Sequence, residues 1–422
     1  MSEFDPHPIG ERARTMIEAL ASISAGDDRL TRLYLTPEHK QASELVGEWM
    51  SRAGLSVRMD SAASMHGRLP AGRAGSRSAR RLLIASHIDT VVDGGRYDGS
   101  FGVVAGILAI EELRARGIAL PFGLEIIAFG DEEGVRFPKT LIGSSAISGN
   151  IDPSILETTD HAGETLRNAL LDFGCDPDAL HSEAYRADEI IGYLEVHIEQ
   201  GPILDQSDEP LGVVTAIAAQ SRHRIRVSGE AGHAGTVPMA LRRDALAGAA
   251  EVITMVEQLA HSGHRDELVI TVGEISISPG AVNVIPGDAL LSLDVRAKSD
   301  EARAHAVATL RERLHQIGAR RGVVIGIETV HEKSVVVCAP WLRAAISSAI
   351  GELGGPKPPQ LMSGAGHDGL AMAHLTDIGM IFVRCRAGIS HSPLEHVSVA
   401  DMGYAVEALV RTILEIAKGN SE

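Results

Sequence analysis

Basic residues are in short supply in this chain: 39 lysines and arginines face 56 aspartates and glutamates, for a formal net charge of −17. That deficit argues against a nucleic-acid partner, since phosphates are bound through cationic contacts. It argues equally against an anionic membrane surface. Cysteine is scarcer still. The three present, Cys175, Cys338 and Cys385, are widely spaced and form no zinc or redox motif. A reduced, cytoplasmic setting is therefore expected. No apolar run reaches the roughly 18 residues that a membrane helix requires. The opening MSEFDPHPIG has no basic segment leading into an apolar one, so neither a membrane span nor a secretory signal is expected.

What is present is ordinary for a globular chain, with 44% hydrophobic and 23% charged residues. At 422 residues the chain is long for one hydrophobic core, and two domains are expected. GERARTMIEALASI and PEHKQASELVGEWMSRAG carry helical spacing, the second opening on a Thr36-Pro37 cap. LSVRM and RRLLIAS read as strands, FGVVAGILAIEELRARG as a helix closed by Gly117, and PFGLEIIAFG as a strand again. This strand–helix–strand order predicts parallel pairing in an α/β sheet. After Gly212 the texture changes to β-type alternation in LGVVTAIAAQSRHRIRVSGE. Helical patterns in RRDALAGAAEVITMVEQLA and DEARAHAVATLRERLHQIGARRG bracket strands in ELVITVGEISI and DALLSLDVRAKSD. From about residue 330 the α/β texture resumes. The expected architecture is an α/β domain with a mixed, mostly parallel sheet flanked by helices (1–211 and 329–422), interrupted by an inserted α+β domain (212–328). AGRAGSRSARR reads as a flexible basic loop.

Chemistry concentrates where apolar segments end. LLIASHID places His87 and Asp89 on one face of a strand, at the carboxyl end where open α/β sheets bind ligands. Asp98 follows in a glycine-rich loop. EIIAFGDEEG ends on Asp131, Glu132 and Glu133, carboxylates that repel unless a cation lies beside them. YLEVHIEQG sets Glu195, His197 and Glu199 on one strand face, and GISHSPLEH puts His391 in a loop after GMIFV. Singly, each has an ordinary structural explanation. Together, imidazoles with carboxylates suit zinc, manganese, cobalt or nickel rather than calcium. Paired-metal hydrolases hold their ions roughly 3.5–4 Å apart, a gap that a bridging carboxylate fits.

The stretches SHIDTVVDGGRYDGSFGV, DEEGVRFPKTLIGS, LEVHIEQGPIL, GHAGTVPMALRRDA, NVIPG, SLDVR, SGAGHD and GISHSPLE carry a resemblance that runs almost end to end. The chain resembles the metal-dependent amidohydrolases of the M20 peptidase superfamily, in its hydantoinase/carbamoylase branch. That branch holds N-carbamoyl-L-amino acid hydrolases, allantoate amidohydrolases and β-ureidopropionases. The resemblance implies two divalent ions (Zn, Mn, Co or Ni). One would be held by His87, Asp98 and His197, and a second by the bridging Asp98 with Glu133 and His391. It implies Glu132 as general base, Asp89 as the hydrogen-bond partner of His87, and His233 as oxyanion stabiliser. Gln200, Asn283, Arg296, Gly364 and Ala365 would bind a small ureido-acid substrate. It further implies a homodimer, with the inserted domain as lid and dimer contact.

Departures are local. Many relatives carry Asn or Ala at the position of Asp131, and Pro-Ser where this chain has Arg384-Cys385, so Arg384 or Arg386 is expected to bear on substrate choice. Three other readings were open to the residues. GAGHDG matches a dinucleotide fingerprint, but GGPKPPQLMS before it does not read as the strand that fingerprint needs. IGSSAISG has no local base for a serine amidase. A catalytically inert binding protein would have no use for Glu132. Within the superfamily, an aminoacylase or dipeptidase is the alternative to a ureido hydrolase.

Overall fold

The computed structural model describes residues 4–26, 29–72, 80–262, 268–354 and 357–419. Most of the expected basic loop, residues 73–79, lies outside them. Within the described residues the chain divides into two compact units, Met1–Thr215 with Val337–Glu422, and Ala216–Val336. The boundaries expected at 212 and 328 shift to 216 and 336 for reasons visible in the strand pairing. The strand Leu211–Ile217 begins as part of the first unit's sheet, Val213 opposite Ile381. The strand Val324–Lys333 runs to its end as a partner of Ala219–Ser228 in the second unit.

The first unit is built on a mixed sheet. In chain order its opening strands are β1 (Ser56–Met59), β2 (Met65–Leu69), β3 (Arg81–His87), β4 (Gly123–Phe129) and β5 (Ile190–Ile198). β3 pairs in parallel with both β4 and β5, and β5 in parallel with the late strand Ile378–Val383. β2 joins β4, and β1 joins β2, antiparallel. Strands covered on both faces read as unbroken apolar runs, and β4, β5 and Ile378–Val383 are buried at every position. The helix Ser100–Ala115 is apolar on almost all sides, as a helix enclosed by protein must be. It packs on β3 and on the helices His7–Ala21 and Val399–Gly419. Thr36 caps the helix Pro37–Arg52, its side chain accepting the His39 N–H.

The segment before GAGHDG contains a strand after all, against the sequence expectation: Gln360–Ser363 pairs with Leu211–Ile217. It was hidden because the four residues sit behind a Pro-rich stretch and have one strand neighbour among the described residues. The helix after the glycines, Gly369–Met372, is a single turn.

The second unit is an antiparallel sheet with helices on one face. Ala219–Ser228 and Asp288–Ala297 alternate buried and solvent-facing side chains along their length. Ile225, Val227, Leu291, Leu293 and Val295 pack against Val252 and Ala249 of the helix Ala245–Ser262, and against Leu310 and Leu314 of Asp300–Arg321. Among the described residues, no helix is long and apolar enough to cross a membrane.

Candidate metal centre

Parallel strands deliver the site. β3 ends on His87, β4 leads into Asp131–Glu133, β5 carries His197, and all three end on the same edge of the sheet. Ladder pairing holds β3 beside β5 as far as Ile84 and Leu194, and His87 and His197 each remain in a ladder, opposite Phe129 and Phe382. The two imidazole rings are 5.8 Å apart between centroids.

The Asp98 carboxylate stands between them. Its Oδ1 is 3.1 Å from His197 Nε2 and 3.6 Å from His87 Nε2, and its Oδ2 is 3.3 Å from His391 Nε2. His391 Nε2 is in turn 3.4 Å from Glu133 Oε1. Glycine makes the approach feasible at position 99. With φ of +60° it takes a conformation that side chains avoid, and a Cβ there would fall 2.4 Å from the His87 ring. Two groups of donor atoms thus share one carboxylate: His87, Asp98 and His197, and Asp98, Glu133 and His391. Asp131, Gln200 and His391 all hold positive φ values, a concentration of backbone strain characteristic of working sites.

Electrostatics separate the members. Burial weighs against charge on Asp98, but hydrogen bonds from His197, His391 and His87 hold its carboxyl well below the usual range. Burial likewise opposes charge on His87 and His197. Asp89 and Asp98 raise the first well above its ordinary value, and Asp98 raises the second. His391 rises to about 9, chiefly through Asp98. Burial, then the neighbouring charge of Asp98, lifts Glu133 to about 7. Glu132, 3.9 Å from His87 Nε2, is pushed well above the carboxylate range by burial and by Glu133, Asp368 and Asp89, against the pull of His87. The carboxylates draw positive charge onto His87, His197 and His391. A divalent cation supplies the same compensation, and imidazole with carboxylate is the donor chemistry of first-row ions. The residues fit such an ion.

Other expected residues fall as follows. Asp89 adjoins His87, but the ring Nδ1 lies 3.0 Å from the Asp89 backbone oxygen and 3.5 Å from its carboxylate. The carboxylate instead accepts the N–H groups of Glu132 and Glu133, each at 3.2 Å. Asp89 therefore orients the carboxylate pair as well as the imidazole. Gln200 Nε2 donates to Asp98 Oδ2 at 2.8 Å. The loop of Gly364 and Ala365 reaches the site, since a Cβ on the adjoining Gly366 would lie 3.8 Å from Glu132 Oε1. The Ala365 N–H, however, is engaged by Ser363 Oγ at 3.2 Å. Glu199 turns away and accepts the N–H groups of Ile203 and Leu204.

His233, Asn283 and Arg296 belong to the second unit. The first two adjoin, with Val284 opposite His233 and the Ala234 N–H donating to the Asn283 carbonyl. Arg296 donates to Asp294 at 3.0 Å. Arg384 grips Asp401 with two nitrogens and Asp208 with a third, which makes it a bracket between segments. Arg386 is exposed.

Sequence reasoning gave no role to four buried groups here. His367 packs edge-on against His197, with centroids 4.4 Å apart. Asp131 and Asp368 are fully buried, and among the described residues no hydrogen bond reaches either oxygen of Asp131. Glu395 accepts two backbone N–H groups near Asp98. Each lies within four positions of a quoted candidate, which was the available signal, but burial is what singles them out. His367 could join Glu195 and His197 as a third donor group. That group is spoken for, because His197 Nε2 already faces Asp98, its Nδ1 bonds the Ile198 oxygen, and Glu195 accepts from Tyr193 and Gly369.

An α/β unit with histidines and carboxylates converging at the strand ends is the build of a metallohydrolase. The family described as peptidase family M20/M25/M40 matches residues 83–415, and the chain belongs to it. Allantoate deiminase of Arabidopsis thaliana is 40% identical, over 95% of this chain and 81% of that protein. N-carbamoyl-L-amino-acid amidohydrolase of Pseudomonas sp. (strain NS671) is 39% identical, over 96% and 98%. Among solved structures, a hydantoinase/carbamoylase family amidase from Burkholderia multivorans superposes with a TM-score of 0.89 at 30% identity, covering 97% of this chain and 98% of that one. Enzymes of the family are in general dependent on divalent metals.

Proposed function

We propose that this chain is an amidohydrolase of ureido acids, cleaving the carbamoyl C–N bond of an N-carbamoyl-L-amino acid. It is a hydrolase acting on C–N bonds. The observation that carries the finer reading is the gathering of His87, His197, His391 and Glu133 around the Asp98 carboxylate, with Glu132 alongside. His87, Asp98 and His197 would hold one divalent cation, and Asp98, Glu133 and His391 another. When bound, such a pair acidifies an attacking water and neutralises charge on the carbonyl oxygen.

The chain's own groups do the rest. Glu132, held in place by the Asp89 contact to its N–H, accepts the proton from the attacking water and returns it to the leaving nitrogen. In the same reading His233 stabilises the oxyanion. Arg296 recognises a substrate carboxylate, with Asn283, Gln200 and the Gly364–Ala365 backbone on the ureido group. A homodimer resting on the inserted unit completes it. Net products are the amino acid, CO₂ and ammonia.

Allantoate is the second reading, favoured by the extent of the likeness to the plant allantoate deiminase. The test is turnover by protein reconstituted with Mn²⁺ or Co²⁺, on a panel of N-carbamoyl-L-amino acids, allantoate, N-acetyl amino acids and dipeptides, read as ammonia for the ureido acids and as freed amino acid for the last two. Turnover on ureido acids and none on the last two is expected. Activity confined to dipeptides or N-acetyl amino acids overturns the proposal.

A further inference from the structure

Glu395 is outside the ligand set, yet two ligand-bearing loops meet on it. Its Oε1 accepts the N–H of Tyr97 at 2.7 Å and of Asp98 at 3.1 Å, residues 298 and 297 positions away. The residue is 5% exposed, and it follows His391 by four positions through a turn closed by its own N–H on the Ser392 oxygen. Gly95 lies flat against it: a Cβ at that position would fall 2.0 Å from the Glu395 Cδ.

The two donor groups differ in what registers them. His87 and His197 stand on paired strands. Asp98 and His391 stand on loops, and His391 has a half-exposed side chain and a φ of +53°. No backbone ladder sets the 3.3 Å between His391 Nε2 and Asp98 Oδ2. Gln200 Nε2 reaches both side chains, Asp98 Oδ2 at 2.8 Å and His391 Nε2 at 3.4 Å, but Glu395, at the root of one loop, is bonded to the backbone of the other.

We propose that Glu395 is a positioning residue that holds the Asp98 and His391 loops in register, and so closes the Asp98–Glu133–His391 cation site. The inference rests on the two-cation reading. The tie needs an acceptor oxygen rather than a charge, so a glutamine amide should serve, whereas alanine removes it.

The experiment is titration of metal-depleted full-length protein with Mn²⁺, comparing wild type with Glu395→Ala, Glu395→Gln and Gly95→Ala. It reads stoichiometry, affinity and the exchange-coupled electron paramagnetic resonance signal of a paired site. Circular dichroism melting of the metal-free forms reports folding separately. Wild type should take two ions. Glu395→Ala should bind one ion normally and the second about 10–100-fold more weakly, with the coupled signal lost. Gly95→Ala, which displaces Glu395, should do the same, and Glu395→Gln should bind as wild type. Two tightly bound, coupled ions in Glu395→Ala or in Gly95→Ala overturn the inference. So does equal failure of Gln and Ala, which would make charge the operative property. A wild type that binds fewer than two ions overturns the two-cation reading itself, and with it the inference.

Discussion

The sheet of β2 to β5 holds two clusters of buried charge built on opposite terms. Along β2 and β4, His66 lies between Asp60 and Glu125 at 2.9 Å from each, and Glu125 also meets Arg68 at 2.9 Å, Arg81 at 2.7 Å and the Tyr185 hydroxyl at 2.6 Å. Asp60 further accepts the N–H groups of Ala62 and Ser64. Acids and bases compensate one another there. At the carboxyl ends of β3, β4 and β5 the carboxylates are crowded around imidazoles, and among the described residues no hydrogen bond reaches either oxygen of Asp131. A self-compensated cluster stabilises a fold. A cluster left acid-heavy holds its charge in readiness for a cation and a substrate. The contrast tells structure from function without reference to any relative.

The comparison breaks if disturbing the strand-end cluster harms the fold, or disturbing the β2–β4 cluster harms the chemistry. The largest effect is expected from metal removal: dialysis against a strong chelator should abolish ammonia release, and Mn²⁺ or Co²⁺ should restore it. Glu132→Gln comes next, with a kcat loss of about 10²–10⁴-fold, the usual worth of general acid–base catalysis, and metal binding intact by titration. Near-normal turnover in that variant would remove Glu132 from its role. In the β2–β4 cluster, Glu125→Ala removes the carboxylate shared by His66, Arg68 and Arg81, and leaves His66 only Asp60 and Arg81 only Glu189. It should lower unfolding free energy by about 3–5 kcal/mol in denaturant melts, with specific activity of the folded fraction unchanged.

The smallest effect is a pH dependence. Against burial, His66, Tyr185 and Arg68 hold Glu125 down to about 2 from its ordinary 4.5. A carboxyl so depressed contributes stability above 4.5 that fades as pH falls toward 2. His66 is raised from 6.5 by Asp60 and Glu125 despite burial, so its contribution is full below 6.5 and is lost as pH rises through the higher folded value. The stability gap between wild type and Glu125→Ala should therefore be widest between 4.5 and 6.5. A gap that is flat from pH 3 to 9 would show that the network is not titrating as a unit.

Much of the carboxyl-end site was open to reading in the sequence, because β-strand periodicity and the rule that ligands bind at strand carboxyl ends act locally. His87 and His197 announce themselves as polar residues closing apolar runs. Glu125 and His66 gave no such sign. They sit inside strand patterns, and only the antiparallel pairing of β2 with β4 sets Arg68 opposite Glu125. The ion pairs of Arg384 were hidden for a similar reason: its position in the loop leading to His391 suggested substrate, and only the fold brings Asp208 and Asp401 to its three nitrogens.

By itself, then, the sequence determined the donor chemistry and the strands that present it, since side-chain type and a two-residue period are properties of short segments. Tertiary structure alone decided which groups bond to which. It gave the Asp89 carboxylate to the Glu132 and Glu133 amides, committed Arg384 to two aspartates, and brought Glu395 to the backbone of Asp98. Hydrogen bonds are fixed by distances within about 3 Å, and chain segments hundreds of residues apart acquire such distances only when the whole sheet has formed.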